Sequence, residues 1–145
     1  MAQHALHEGQ PKPDTTYLGV TVEGAVIGHI AIRRQRLEVP PSALTGGAPL
    51  VLHDGVGRPL DEMFVQTFAV EDGHRRQVHG RRLQQAAIQQ TRQQGCYQLR
   101  SWSSADAVAN YALKLSLGFA VHPALYPMPG GAPLSGVYFV MVVHS

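Results

Sequence analysis

The sequence has very little cysteine: Cys96 stands alone among 145 residues. A lone thiol closes no internal disulfide, so the fold does not depend on an oxidising compartment. Nothing approaches the roughly 20 consecutive apolar residues that span a bilayer. The opening, MAQHALHEGQPKPD, lacks the apolar stretch of a secretory leader, which leads to the expectation of a cytoplasmic protein with no membrane partner. Charge of one sign is also scarce. Twelve Lys and Arg face ten Asp and Glu, a formal net charge of +2, too little to argue for a nucleic-acid partner. There is no internal repeat. A chain of this length supports one core, not two.

What remains reads as alternating strands and helices. Residues 1–16 are polar, carry Pro11 and Pro13, and are expected to form a flexible N-terminal tail ahead of one domain over 17–145. Tyr17–Val22 and Ala25–Ile32 are rich in β-branched residues and joined by Glu23-Gly24, a hairpin signal. Residues 40–60 are crowded with Pro and Gly and read as a long loop, with a short strand at Leu50–His53. Met63–Val70 is the next strand, with Met63, Val65, Thr67 and Ala69 on one face and Phe64, Gln66, Phe68 and Val70 on the other. A helix follows over about His79–Gln94, burying Leu83, Ala86, Ala87 and Gln90, with Gly95 placed to end it. Cys96–Trp102 reads as a strand. Ala105–Leu117 reads as a second helix with Val108, Tyr111, Ala112 and Leu115 at helical spacing, stopped by Gly118. Phe119–Leu125 and Val137–Val143 complete the pattern. The order β-β-β-α-β-α-β-β implies an α/β fold: a mixed, mainly antiparallel sheet, its strand-helix-strand unit supplying a parallel pair.

Chemistry concentrates where Val70 hands over to the first helix, through Glu71-Asp72-Gly73-His74-Arg75-Arg76-Gln77-Val78-His79-Gly80-Arg81-Arg82. A helix N-terminus offers unpaired N–H groups and the positive end of the dipole. That is an anion site, and flanking guanidinium groups add charge-assisted donors for phosphate. Eight histidines invite a metal reading, but His74 and His79 are five apart, not the four of a helical zinc pair, so no metal is expected.

This segment resembles the pyrophosphate turn of the GNAT N-acetyltransferase superfamily, which runs Arg or Gln, two variable residues, Gly, one variable residue, then Gly or Ala. Here the register is Arg75, Arg76-Gln77, Val78, His79, Gly80. Gly95 before a strand, Ser103-Ser104 before a helix, and Leu115-Ser116-Leu117-Gly118-Phe119 follow in the family's order. The resemblance covers residues 17–145 and implies the acyl-CoA N-acyltransferase fold. It also implies an acetyltransferase that moves an acetyl group from acetyl-CoA, a co-substrate, to a primary amine. It places the cofactor against Phe68, Ala69, Val70, Arg75, Arg76, Gln77, Val78, His79, Gly80 and Arg81, with Asp106 and Asn110 beside the pantetheine arm. It makes the Val70 backbone the oxyanion donor. For the amine's proton Glu62, Glu71 and His74 are candidates, Glu62 foremost. Tyr111 is the candidate acid for the leaving thiolate.

Three departures accompany the resemblance. Val78 occupies the usual glycine, where a β-branched residue at positive φ would be an outlier. Lys114 stands four residues before Gly118, where many relatives have tyrosine. Sixteen polar residues replace the family's first strand and helices, leaving Tyr17–Val22 as a sheet edge and leading to the expectation of a homodimer. Two further readings stay open: a degenerate acyl-CoA-binding or interaction module without catalysis, and an RNA-binding domain using Arg75–Arg82. The second lacks aromatic residues interleaved with the basic ones.

Overall fold

A computed structural model describes residues 3–6 (backbone only), 14–71, 78–126 and 128–144. The calls on His74, Arg75, Arg76 and Gln77 fall outside the described residues. Among the described residues, nine strands and two α-helices run in the order β1 (Gln3–Leu6), β2 (Thr15–Val22), β3 (Ala25–Arg36), β4 (Glu38–Val39), β5 (Leu50–Val51), β6 (Asp61–Val70), α1 (Val78–Gln93), β7 (Gln98–Ser104), α2 (Val108–Ser116), β8 (Ala120–Tyr126) and β9 (Leu134–Val142). Seven strands form one sheet in the order β1-β2-β3-β6-β7-β9-β8, with β6 and β7 its parallel pair. The mixed, mainly antiparallel α/β architecture is the one expected.

The tail is partly structured. Gln3–Leu6 pairs antiparallel with Leu18–Thr21 of β2, so the edge expected to be open along Tyr17–Val22 is taken there. Glu23 (φ 51°) and Gly24 (φ 84°) turn β2 into β3. Both positive angles are what a two-residue hairpin of matching twist requires. In the long loop, β4 and β5 pair as a two-residue ladder, and Asp54 accepts the Val56 and Arg58 amides at 2.9 Å.

The alternation expected in β6 breaks at a bulge. Ala31 of β3 pairs with Thr67 while Ile32 pairs with Val65, so Gln66 has no partner in the ladder. One extra residue reverses the parity of everything beyond it. Met63 and Val65 reach the core from before the bulge, and Phe68 and Val70 reach it from after. The sequence pattern had put these pairs on opposite faces.

Both helices pack on one face of the sheet, over Leu18, Val20, Ile30, Ile32, Met63, Leu99 and Phe139. In α1 the buried residues are Gly80, Leu83, Gln84, Ala87, Ile88 and Thr91. Ala86 and Gln90 are only half-buried, a rotation of the stripe expected. Gly95 (φ 73°) ends this helix, its amide donating to the Arg92 carbonyl at 3.1 Å. The larger correction concerns α2. Val108, Ala112 and Leu115 are exposed, and of the expected stripe only Tyr111 packs against the core. The residue buried in their place is Lys114, 1% exposed. No described helix is long and apolar enough to cross a membrane.

Candidate active site

The site arises where two strands part. β6 and β7 pair only at Glu62–Gln98, Met63–Leu99 and Phe64–Arg100. Beyond Phe64, β6 runs to Val70 and β7 to Ser104 without pairing to each other. A cleft of about 450 Å³ opens there, with Phe68, Ala69, Val70, Gly80, Asp106, Asn110 and Leu113 in its walls. Six of the residues expected to hold the cofactor thus meet in one place: Phe68, Ala69, Val70, Gly80, Asp106 and Asn110.

The N-termini of both helices face this cleft. Gly80 lies in the first turn of α1, and an added Cβ would sit 3.2 Å from Leu113 Cδ2 and 3.5 Å from Phe68 Cζ. Glycine keeps the wall open and lets α1 approach the strand and α2. The first turn of α1 carries no acidic residue, and neither does that of α2. Ala107, the residue before α2, makes no side-chain cap. Both helix dipoles therefore point at the cleft without a carboxylate in either first turn, and Asp106 is the carboxylate among the lining residues.

Val78 is the first residue of α1 and 57% exposed. Among the described non-glycine residues only Asp14 and Glu23 have positive φ. The strain expected of a valine in the glycine position is therefore not incurred, because the residue is already helical. His79 is half-buried. Arg81 turns away toward α2, where its Nη2 donates to Ser116 Oγ at 2.7 Å.

Asn110 donates from Nδ2 to Ser103 Oγ at 2.6 Å, while its Oδ1 is buried without a partner. An unsatisfied buried acceptor costs about 1–3 kcal/mol. In a cleft wall, that oxygen suits a ligand N–H. Asp106 accepts from Ser104 Oγ at 2.5 Å. Tyr111 is committed elsewhere: its hydroxyl donates to the Ser104 carbonyl at 2.7 Å and its ring meets Phe139 edge-on at 5.4 Å. It anchors the end of β7 in this structure.

Glu62 lies on the opposite face of the sheet and is 1% exposed. Its Oε1 accepts from Arg100 Nε (2.9 Å) and Gln98 Nε2 (2.9 Å). Its Oε2 accepts from Arg100 Nη2 (2.8 Å) and Gln35 Nε2 (2.7 Å). Burial pushes the carboxyl upward, but the hydrogen bonds from Arg100, Gln35 and Gln98 outweigh it and hold the pKa below the usual range. Sequence reasoning missed Arg100. Its guanidinium lies 4.8 Å from the Phe64 ring centre and 4.9 Å from that of Tyr138. Glu71, the other described candidate base, is exposed at the end of β6.

Lys114 was likewise seen only as a departure. Its Nζ donates to Gln84 Oε1 at 2.8 Å and lies 4.4 Å from the Phe119 ring centre. Burial lowers its pKa from the ordinary lysine value to about 7. Among the described residues no group of three or more His, Cys, Asp or Glu could hold a metal ion.

Residues 2–119 match the acetyltransferase (GNAT) family. Solved structures share the fold at low identity. Arabidopsis thaliana NAA60, solved with a bisubstrate analogue, has a TM-score of 0.66 and 14% identity, over 89% of this chain and 75% of that one. The ribosomal-protein-S18-alanine N-acetyltransferase of Escherichia coli has 0.62 and 19%, over 93% and 73%. The yncA protein of Salmonella typhimurium, solved with acetyl-CoA, has 0.63 and 16%, over 90% and 66%. No curated protein matches the chain.

Proposed function

The chain belongs to the GNAT acetyltransferase family, and on that premise we propose that it transfers the acetyl group of acetyl-CoA to an amine. The observation that carries this reading is the cleft beside the unpaired end of β6, walled by the starts of α1 and α2. A slot of that shape fits a narrow pantetheine arm, its amides meeting the open strand edge and Asn110. The diphosphate would lie at the start of α1. The two relatives described as N-acetyltransferases or solved with acetyl-CoA support the same assignment.

In the proposed chemistry the thioester carbonyl rests against the backbone near Val70, whose amides stabilise the developing oxyanion. Of the candidate bases, Glu62 already accepts four hydrogen bonds. We therefore assign it the role of fixing Arg100, and the amine arrives deprotonated. A thiol pKa near ~8.5 lets the thiolate leave without a strong acid, which fits a Tyr111 hydroxyl engaged on Ser104. The homodimer was expected from an open Tyr17–Val22 edge, and with β1 paired there that ground falls away.

A second reading, a binder without catalysis, is favoured by one observation: Lys114, at the position where many relatives have tyrosine, is sealed in the core. Calorimetry with acetyl-CoA and a thiol-release assay with an amine panel separate the two. Binding with turnover supports transfer. Binding alone supports the second reading, and no binding removes both.

A further inference from the structure

On the face of the sheet opposite the helices, next to the last β6–β7 pair, a cavity of about 290 Å³ is walled by Gln35, Phe64, Gln66, Arg100, Tyr126 and Tyr138. It adjoins the point where the strands part. We propose that this cavity is the acceptor subsite and takes an aromatic amine bearing a carboxylate, its ring against Phe64 and Tyr138 and its carboxylate on Arg100. The assignment rests on the acetyl-transfer reading above and adds the substrate class.

Three features lead to it. First, the walls hold no carboxylate and no imidazole. His122 is the ladder partner of Tyr138 but lies outside the walls. Glu62 lines the neighbouring cavity with Gln35 and Arg100, and its oxygens already accept four hydrogen bonds. An alkylammonium with a pKa near ~10.4 is about one part in a thousand neutral at pH 7.4. An aromatic amine, its lone pair delocalised, needs no base. Second, two Arg100 nitrogens bind Glu62 and the guanidinium also hydrogen-bonds Tyr138, which leaves its remaining N–H groups for another oxygen. Arg33, the ladder partner of Phe64, is exposed beside it. A polycation would meet guanidinium groups here with no open carboxylate in the walls. Third, the rings of Trp102, Tyr126 and Tyr138 meet at tilted and edge-on angles, 5.1–6.4 Å apart, an aromatic cluster that suits a flat guest.

The step is balanced without a further reagent. The neutral nitrogen bonds to the thioester carbon, the C–S bond breaks with its electron pair going to sulfur, and the nitrogen's proton passes to the thiolate. The products are an amide and free coenzyme A.

The test measures thiol release from acetyl-CoA with 4-aminobenzoate, aniline and spermidine, beside calorimetry of acetyl-CoA alone. The expected result is a kcat/KM for 4-aminobenzoate at least ~10-fold above aniline, the worth of a charge-assisted contact, with spermidine lower still. Phe64→Leu should raise KM for 4-aminobenzoate while leaving acetyl-CoA affinity unchanged. Equal rates with aniline, or faster turnover of spermidine, overturn the subsite while leaving acetyl transfer standing. So does acetyl-CoA binding with no turnover of any of the three. Absence of acetyl-CoA binding overturns both.

Discussion

Lys114 and Gln84 meet at 2.8 Å between the two helices, and no carboxylate joins them. A 1%-exposed ammonium whose partners are an amide oxygen and the face of Phe119 is poorly compensated. That is why its pKa falls to about 7.

The sign of the pH effect follows. Between about pH 7 and 10 the unfolded chain holds a proton on this lysine that the native chain has released. Stability from this group therefore rises with pH across that window, by up to ~1.4 kcal/mol per unit. Below pH 7 both states hold the proton and the slope vanishes. Urea melts at pH 7, 8 and 9 should show the rise, and Lys114→Met should flatten it while raising the midpoint at pH 7. An unchanged slope in the variant would refute this account.

The Glu62–Arg100 pair has the same sign in an acidic window. Its carboxyl titrates below the usual range in the native state, so its stabilisation is present above the unfolded pKa near ~4.3 and is lost as pH falls below it. Glu62→Gln leaves the half-buried Arg100 without its counter-charge and should cost about 3 kcal/mol. Denaturant unfolding at pH 7 checks the magnitude. A loss under ~1 kcal/mol would mean the pair behaves as a surface bridge.

Gly136 faces the ring of Trp102, the chain's only tryptophan. A methyl group there would meet Trp102 Cζ2 at 2.7 Å and press on the Ser103 carbonyl. Gly136→Ala should displace the ring, cost about 1–3 kcal/mol and shift the tryptophan emission. An unshifted spectrum with full stability would show that β9 yields.

These relationships also mark what the sequence could disclose. The strand ending at Val70 and the helix stopped at Gly95 were legible because their signals are local: alternating apolar residues in one, helical spacing and a glycine stop in the other. The Glu62–Arg100 pair was not, since its partners are 38 residues apart and meet only across the parallel strands. The bulge at Gln66 left no mark in composition, and without it the faces of Phe68 and Val70 came out reversed. In α2 the apolar spacing pointed at Val108, Ala112 and Leu115, whereas tertiary packing drew in Lys114. Apolar pattern is a weak guide in a nine-residue helix when a long side chain can bury its stem.

Asn110 offers a local test of the cleft. Its unpartnered Oδ1 should accept a hydrogen bond from the pantetheine arm. Asn110→Ala is expected to weaken acetyl-CoA binding by about 10-fold, the worth of one good hydrogen bond. Calorimetry reads this directly, and equal affinity in the variant would place the arm elsewhere.

The three rungs that join β6 to β7 are the whole ladder between two half-sheets, β1-β2-β3-β6 on one side and β7-β9-β8 on the other. A guest threaded between them would complete the missing rungs and add cross-links that the empty protein lacks. Such a guest acts as an extra strand, and by mass action at a hundred times its Kd it contributes about 2.7 kcal/mol to the native state. Amide exchange along Val65–Val70 and Ser101–Ser104 should then slow together, as one unit, when the gap is filled.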